Sequence, residues 1–160
     1  MPDAVVPATP EQQIAGFIEK FDAKQQTLMR AVRKALRKRL PPAYELVYDN
    51  YNFFVIGFSP TERPSDSLLS IAAGANGVGL CFLGGWSLPD PSKILQGSGK
   101  LNRFIRVPSV AVLARPDVDA LIDAAVKQAR TPWPSRSAAK TIIRSVSAKQ
   151  RPRRRTAARR

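Results

Sequence analysis

The feature that most constrains this chain is an abrupt change of texture at Pro41-Pro42. Two successive prolines stop a helix, because proline has no N–H to donate and its ring disfavours helical backbone in the residue before it. Upstream of that break the apolar residues recur at helical spacing. Downstream, short apolar and aromatic runs alternate with Gly, Pro, Asn and Ser. A single chain with helices first and strands after is confined to a few layered arrangements.

Thr9-Pro10-Glu11 reads as a helix start, with Thr9 as N-cap and proline at the first helical position. Ile14, Phe17, Ile18 and Phe21 form its apolar stripe. Asp22 is a second N-cap candidate. Beyond it Leu28, Met29, Val32, Ala35, Leu36 and Leu40 fall on one side of a helical projection, and Arg30, Arg33, Lys34, Arg37 and Lys38 on the other. Glu45–Tyr48, Asn52–Phe58, Leu68–Ala73, Val78–Phe82 and Asn102–Val107 read as strands. Gly74-Ala75-Asn76-Gly77 has the composition of a hairpin turn, since Asn and Gly tolerate positive φ. A last helix runs from Pro116 to Arg130 with Val118, Leu121, Ile122, Ala125 and Val126 inward. The expected class is α+β: an antiparallel sheet of four to five strands, with two N-terminal helices and one C-terminal helix packed on it.

The charge is segregated along the chain. Net charge is +14, and no acidic residue follows Asp123. Ten basic residues fall within 131–160, among them Arg151, Arg153, Arg154, Arg155, Arg159 and Arg160. The sequence therefore divides into a folded unit, residues 1–130, and an Arg/Lys-rich tail, residues 131–160. Low hydrophobicity and self-repelling charge make disorder the expectation for that tail. Thr131-Pro132-Trp133-Pro134-Ser135 is the expected hinge.

Composition also removes several chemistries. With no histidine, histidine-assisted nucleophilic catalysis and the usual zinc sites are excluded. One cysteine, Cys81, excludes an internal disulfide and an all-cysteine metal site within the chain. Cys81 alternates within an apolar strand and reads as a small buried hydrophobe rather than a reactive thiol. The carboxylates outside the helices, Glu45, Asp49, Glu62, Asp66 and Asp90, include no pair placed for acid–base work. Trp86 reads as a core or rim aromatic. No catalytic residue, metal ligand or cofactor site is expected, and the chain reads as non-enzymatic. No apolar stretch is long enough to span a bilayer, and Met1–Pro7 lacks a positive leader followed by an apolar run, so a cytoplasmic location is the expectation.

Two cationic features invite an anionic partner. The α-helical face of Arg30, Arg33, Lys34, Arg37 and Lys38 can lie along phosphates, and the tail can gain affinity by counterion release. The plainer reading of each is a solvated surface. A third feature is Leu95 to Arg103. Its Gly97 and Gly99 let backbone amides approach an oxyanion, and Lys100 and Arg103 supply charge, with Tyr48 as a further candidate contact. Its spacing is not that of a P-loop.

These residues carry a resemblance. The run Leu36-Arg37-Lys38-Arg39-Leu40-Pro41-Pro42-Ala43-Tyr44-Glu45, the aromatic start Tyr48–Phe54, and Leu95–Arg103 as Leu-x-Gly-x-Gly-Lys-x-x-Arg together resemble the YdhG-like domain family over roughly residues 11–130. That family has no established biochemical role and is grouped loosely with frataxin-like iron-binding proteins. The resemblance implies an α+β sandwich and puts Gly97, Gly99, Lys100 and Arg103 at a family-typical feature. The expected function is a binding module whose cationic tail and helix face engage an anionic partner, nucleic acid first. The alternative is a small-ligand or frataxin-like metal-ion carrier that uses the folded body.

Overall fold

A computed structural model describes residues 6–40, 42–133 and 140–155. Pro41, Ala138, Arg159 and Arg160 lie outside the described residues.

Thr9 caps α1 (Pro10–Glu19) through a reciprocal pair of bonds: its hydroxyl accepts from the Gln12 amide, and the Gln12 side chain accepts from the Thr9 amide. Helix α2 (Ala23–Arg39) follows after a short break, and the Asp22 side chain makes no capping bond. Strands β1 (Tyr44–Asp49), β2 (Phe54–Ser59), β3 (Leu69–Gly74), β4 (Gly77–Phe82) and β5 (Arg103–Arg106) form an antiparallel run. Their turns have the expected chemistry, with one shift: the positive φ of the β3–β4 hairpin falls on Gly77, at +133°, not on Asn76. Helix α3 (Pro116–Gln128) comes next.

The chain then adds a strand where disorder was expected. Strand β6 (Thr141–Val146) pairs in parallel with β1, giving a six-stranded mixed sheet in the order β5-β4-β3-β2-β1-β6. The expectation of a wholly antiparallel sheet of four to five strands is corrected accordingly. So is the division at residue 130, since residues on both sides of it build one sheet. The physical reason is local. Averaged over 131–160 the composition is that of a disordered segment, yet Thr141, Ile142, Ile143 and Val146 are β-branched and concentrated in six residues. Strand β1 would otherwise end the sheet with unpaired backbone groups, and β6 satisfies them. The expected hinge is anchored too: Trp133 packs against the core.

Strand parity sorts the sheet into two faces. Val47, Phe54, Ile56, Ile71, Ala73, Val78, Leu80, Phe82 and Ile105 are buried on the face that the helices cover. Phe54 is the hinge point of this core. Its ring meets Phe17 at 5.8 Å and Phe21 at 6.3 Å between centroids, in tilted arrangements. Arg39 of α2 bonds Asp119 of α3 at 3.0 Å. The opposite face carries Tyr48, Val55, Ala72 and Gly79 in one cross-strand row, all half-buried.

The β4–β5 connection is held by close backbone approach. A Cβ on Gly85 would lie 2.8 Å from Cβ of Arg103 and 3.1 Å from both the Arg103 amide nitrogen and Cβ of Phe82. These are backbone-proximal atoms and cannot swing away. Gly85→Ala is expected to destabilise by about 1–3 kcal/mol, read as a lower urea midpoint at unchanged slope; an unchanged midpoint would refute this packing.

Candidate functional site

The basic face of α2 divides once the fold is formed. Arg33 points inward. Its guanidinium donates to both Glu45 oxygens, at 2.8 and 2.9 Å, and to both Glu11 oxygens, at 2.9 and 2.6 Å. Thr141 of β6 donates its hydroxyl to Glu45 at 2.9 Å. Burial alone would lower the Arg33 pKa, but the hydrogen bonds with Glu45 and Glu11 outweigh it and raise it; the same bond from Arg33 lowers that of Glu11. Arg33 is thus committed to the structure. Arg37 lies 3.7 Å from Glu45 and 3.9 Å from Glu11, an intermediate case. Arg30, Lys34 and Lys38 are exposed, with no acidic partner among the described residues. They stand at successive four-residue steps, so they form one stripe along the helix. Arg30, Arg33, Lys34 and Arg37 also wall an open groove of about 440 Å³ between α1 and α2, whose other side is Glu11, Ile14, Ala15 and Ile18.

The tail arginines are placed just as unequally. Arg153 is buried, its Nη2 bonding Asp49 Oδ1 at 2.9 Å and also the Asn50 carbonyl. Asp49 is fully buried and also holds Lys20 Nζ at 2.7 Å. Gln150 donates to the Asp49 carbonyl and to that of Ser147. Burial pushes the Asp49 pKa up, but bonds from Lys20, Gln150 and Arg153 prevail and lower it. Arg154 donates to the carbonyls of Lys20 and Glu19, capping the C-terminal end of α1 with positive charge. Arg151 sits 5.7 Å from the Tyr51 ring centroid. Of the described tail arginines, Arg144, Arg151, Arg154 and Arg155 are exposed with no acidic partner among the described residues. The Asp49–Lys20–Arg153 cluster was not legible as a unit, because its members are separated by up to 133 positions in the sequence.

The Gly97–Arg103 segment is a turn entering β5. Gly97 has φ +113°, and Arg103 donates to the carbonyls of Gly99 and Asn102, so this guanidinium stabilises its own turn. Gly99 and Lys100 are exposed beside it. Tyr48 does not join them. It lies on β1, four strand spacings or about 19 Å from β5, and on the opposite face from Arg103 by strand parity. Next to this turn, Lys93, Arg106 and Arg115 line an open hollow of about 340 Å³ at the β5 edge, with Ile94, Val112 and Val118 as its apolar part. Arg115 is engaged by Asp117, at 2.6 and 3.1 Å. Lys93 and Arg106 have no acidic partner among the described residues. Lys93 has φ +53°, a conformation uncommon outside glycine.

Two further residues differ from expectation. Cys81 faces the side of the sheet opposite the α-helices and is half-buried rather than in the core, because it alternates with the buried Leu80 and Phe82. Burial raises its thiol pKa, so it is not a poised thiolate. Trp86, in the short helical turn Gly85–Ser87, is 60% exposed. Among the described residues no group of three or more Cys, Asp or Glu side chains is placed to hold a metal ion, and no helix is long and apolar enough to cross a membrane.

No protein-family model, curated protein or solved structure matches the chain.

Proposed function

We propose that this chain is a non-enzymatic binding module for an anionic partner, nucleic acid foremost. One observation carries the reading: after the fold has formed its ion pairs, the stripe Arg30, Lys34 and Lys38 is left exposed without acidic partners among the described residues. A helix presenting cations at this spacing meets a row of phosphates without rearrangement. The non-enzymatic half of the reading is supported by the fate of the chemical groups. Glu45 and Asp49 are consumed by Arg33, Lys20 and Arg153, and burial holds the Cys81 thiol in its neutral form.

The reading moves the binding surface away from the tail as a free polycation. Arg153 and Arg154 are bonded within the molecule, while the helix stripe and the β5 edge, together with Arg144, Lys149 and Arg155 of the C-terminal segment, stay exposed. The YdhG-like resemblance is consistent with such a module and assigns it no ligand. The metal-carrier alternative finds no cluster of ligands among the described residues.

The test is binding of mixed-sequence duplex DNA across a salt series. Affinity is expected to fall steeply as salt rises, and Arg30→Ala/Lys34→Ala/Lys38→Ala is expected to weaken binding and to flatten the log–log salt slope by about one per cation removed. Absent binding at low salt, or binding that ignores salt, would end the proposal.

A further inference from the structure

The sheet face opposite the α-helices is covered in part, where Leu46, Gly57 and Ser70 are buried and Ser67 lies against Gly57, and open in part. Successive β residues point to opposite faces, so the row Tyr48, Val55, Ala72, Gly79 and Arg106 lies opposite the helices. Its floor is low because Ala72 and Gly79 carry almost no side chain. Aromatic groups stand along its rim. Phe53, just before β2, is 51% exposed, and its ring lies where a Gly74 side chain would project: a Cβ there would be 3.2 Å from the ring. Gly74 shares the parity of Ala72, which places the Phe53 ring on the same face. Phe104 of β5, 37% exposed, is on this face at the far edge, since its neighbour Ile105 is buried in the core. Three strand spacings, about 14 Å, separate β2 from β5. Tyr48 is half-buried beside Val55.

A shallow row of the sheet without an acidic member, flanked by exposed rings, differs from a solubilising surface. None of the residues in this row is acidic, and Arg106 closes it with a cation that has no acidic partner among the described residues. Flat apolar rings accept the faces of unpaired bases, and cations at the edge accept the phosphates that join them. A duplex cannot use such a surface, because its bases are stacked on one another and turned inward.

We propose that this face binds the bases of a single-stranded nucleic acid, stacked on Phe53 and Phe104, with its phosphates held by Arg106. The proposal rests on the polyanion reading and narrows it to unpaired strands. It uses a surface distinct from the α2 stripe, so the two can fail separately.

The experiment is fluorescence anisotropy with a labelled mixed-sequence single strand and the corresponding duplex. The full chain is compared with Phe53→Leu/Phe104→Leu and with Arg30→Ala/Lys34→Ala/Lys38→Ala, each first shown to keep the parent melting temperature. Leucine keeps apolar area but removes the ring. The aromatic variant is expected to lose about tenfold in single-strand affinity for each ring removed, with duplex affinity unchanged. Phe53→Tyr/Phe104→Tyr, which restores the rings, is expected to recover it. Unchanged single-strand affinity in the leucine variant, beside weakened binding in the helix variant, would overturn this proposal and leave the polyanion reading standing. An equal loss for single strand and duplex would overturn it as well. Binding by no form of the protein would remove both.

Discussion

Asp49→Ala is expected to destabilise the fold by about 3–5 kcal/mol. The carboxylate is fully buried, and it is the shared acceptor for Lys20 at 2.7 Å and Arg153 at 2.9 Å. Removing it leaves the Arg153 guanidinium, only 2% exposed, without its counter-charge. That guanidinium is already under-satisfied, since its Nε and Nη1 have no hydrogen-bond partner. The cost therefore comes mainly from the orphaned charge, not from the value of the pair. Asp49→Leu combined with Arg153→Met is accordingly expected to cost less than the sum of the single changes, and a double-mutant cycle in urea measures the difference. Additive effects would show that the two groups are not coupled.

The same cluster predicts a pH dependence. The Asp49 pKa is lowered in the folded chain: burial opposes the shift, and bonds from Lys20, Gln150 and Arg153 override it. A folded value below the unfolded one of about 3.9 means that the stabilisation is fully present above that pH. It is lost as pH falls through the folded value. The parent should therefore show a steep loss of stability below about pH 4 that Asp49→Asn shows less of. Identical acid curves would exclude this carboxylate as a cause.

The second large effect is expected from ending the chain after residue 139. That deletion removes β6 and the parallel ladder on β1. It takes the Thr141 hydroxyl from Glu45, Arg153 from Asp49 and Arg154 from the end of α1. Losing the buried Arg153 leaves Asp49 with Lys20 as its one remaining charged partner among the described residues, and the β6 ladder is lost with it, so a loss of about 4 kcal/mol or more is expected. For a chain of this size that is a fall of roughly 10 °C in melting temperature. A dispensable tail would leave the melting temperature unchanged, and that result would remove residues 140–155 from the fold. The same logic warns against reading lost nucleic-acid binding in the truncated chain as lost charge, because the folded surface goes with it.

Local pattern determined much of this protein. The Thr9 cap, the stripes of three helices and the five antiparallel strands follow from periodicity and turn chemistry, because each depends on neighbours only a few residues apart. So does the small-residue turn at Gly74–Gly77. Tertiary structure alone decided the rest. It assigned β6 to the sheet, since strand formation there depends on a partner edge about 95 residues upstream. It separated Arg33 and Arg153, which are neutralised, from Arg30, Lys34 and Lys38, which are not; a sequence records the sign of a charge but not what faces it. It also kept Tyr48 away from Lys100 and Arg103, and left Phe53 and Phe104 exposed on the face opposite the three α-helices, because sheet order and parity are properties of the assembled strands.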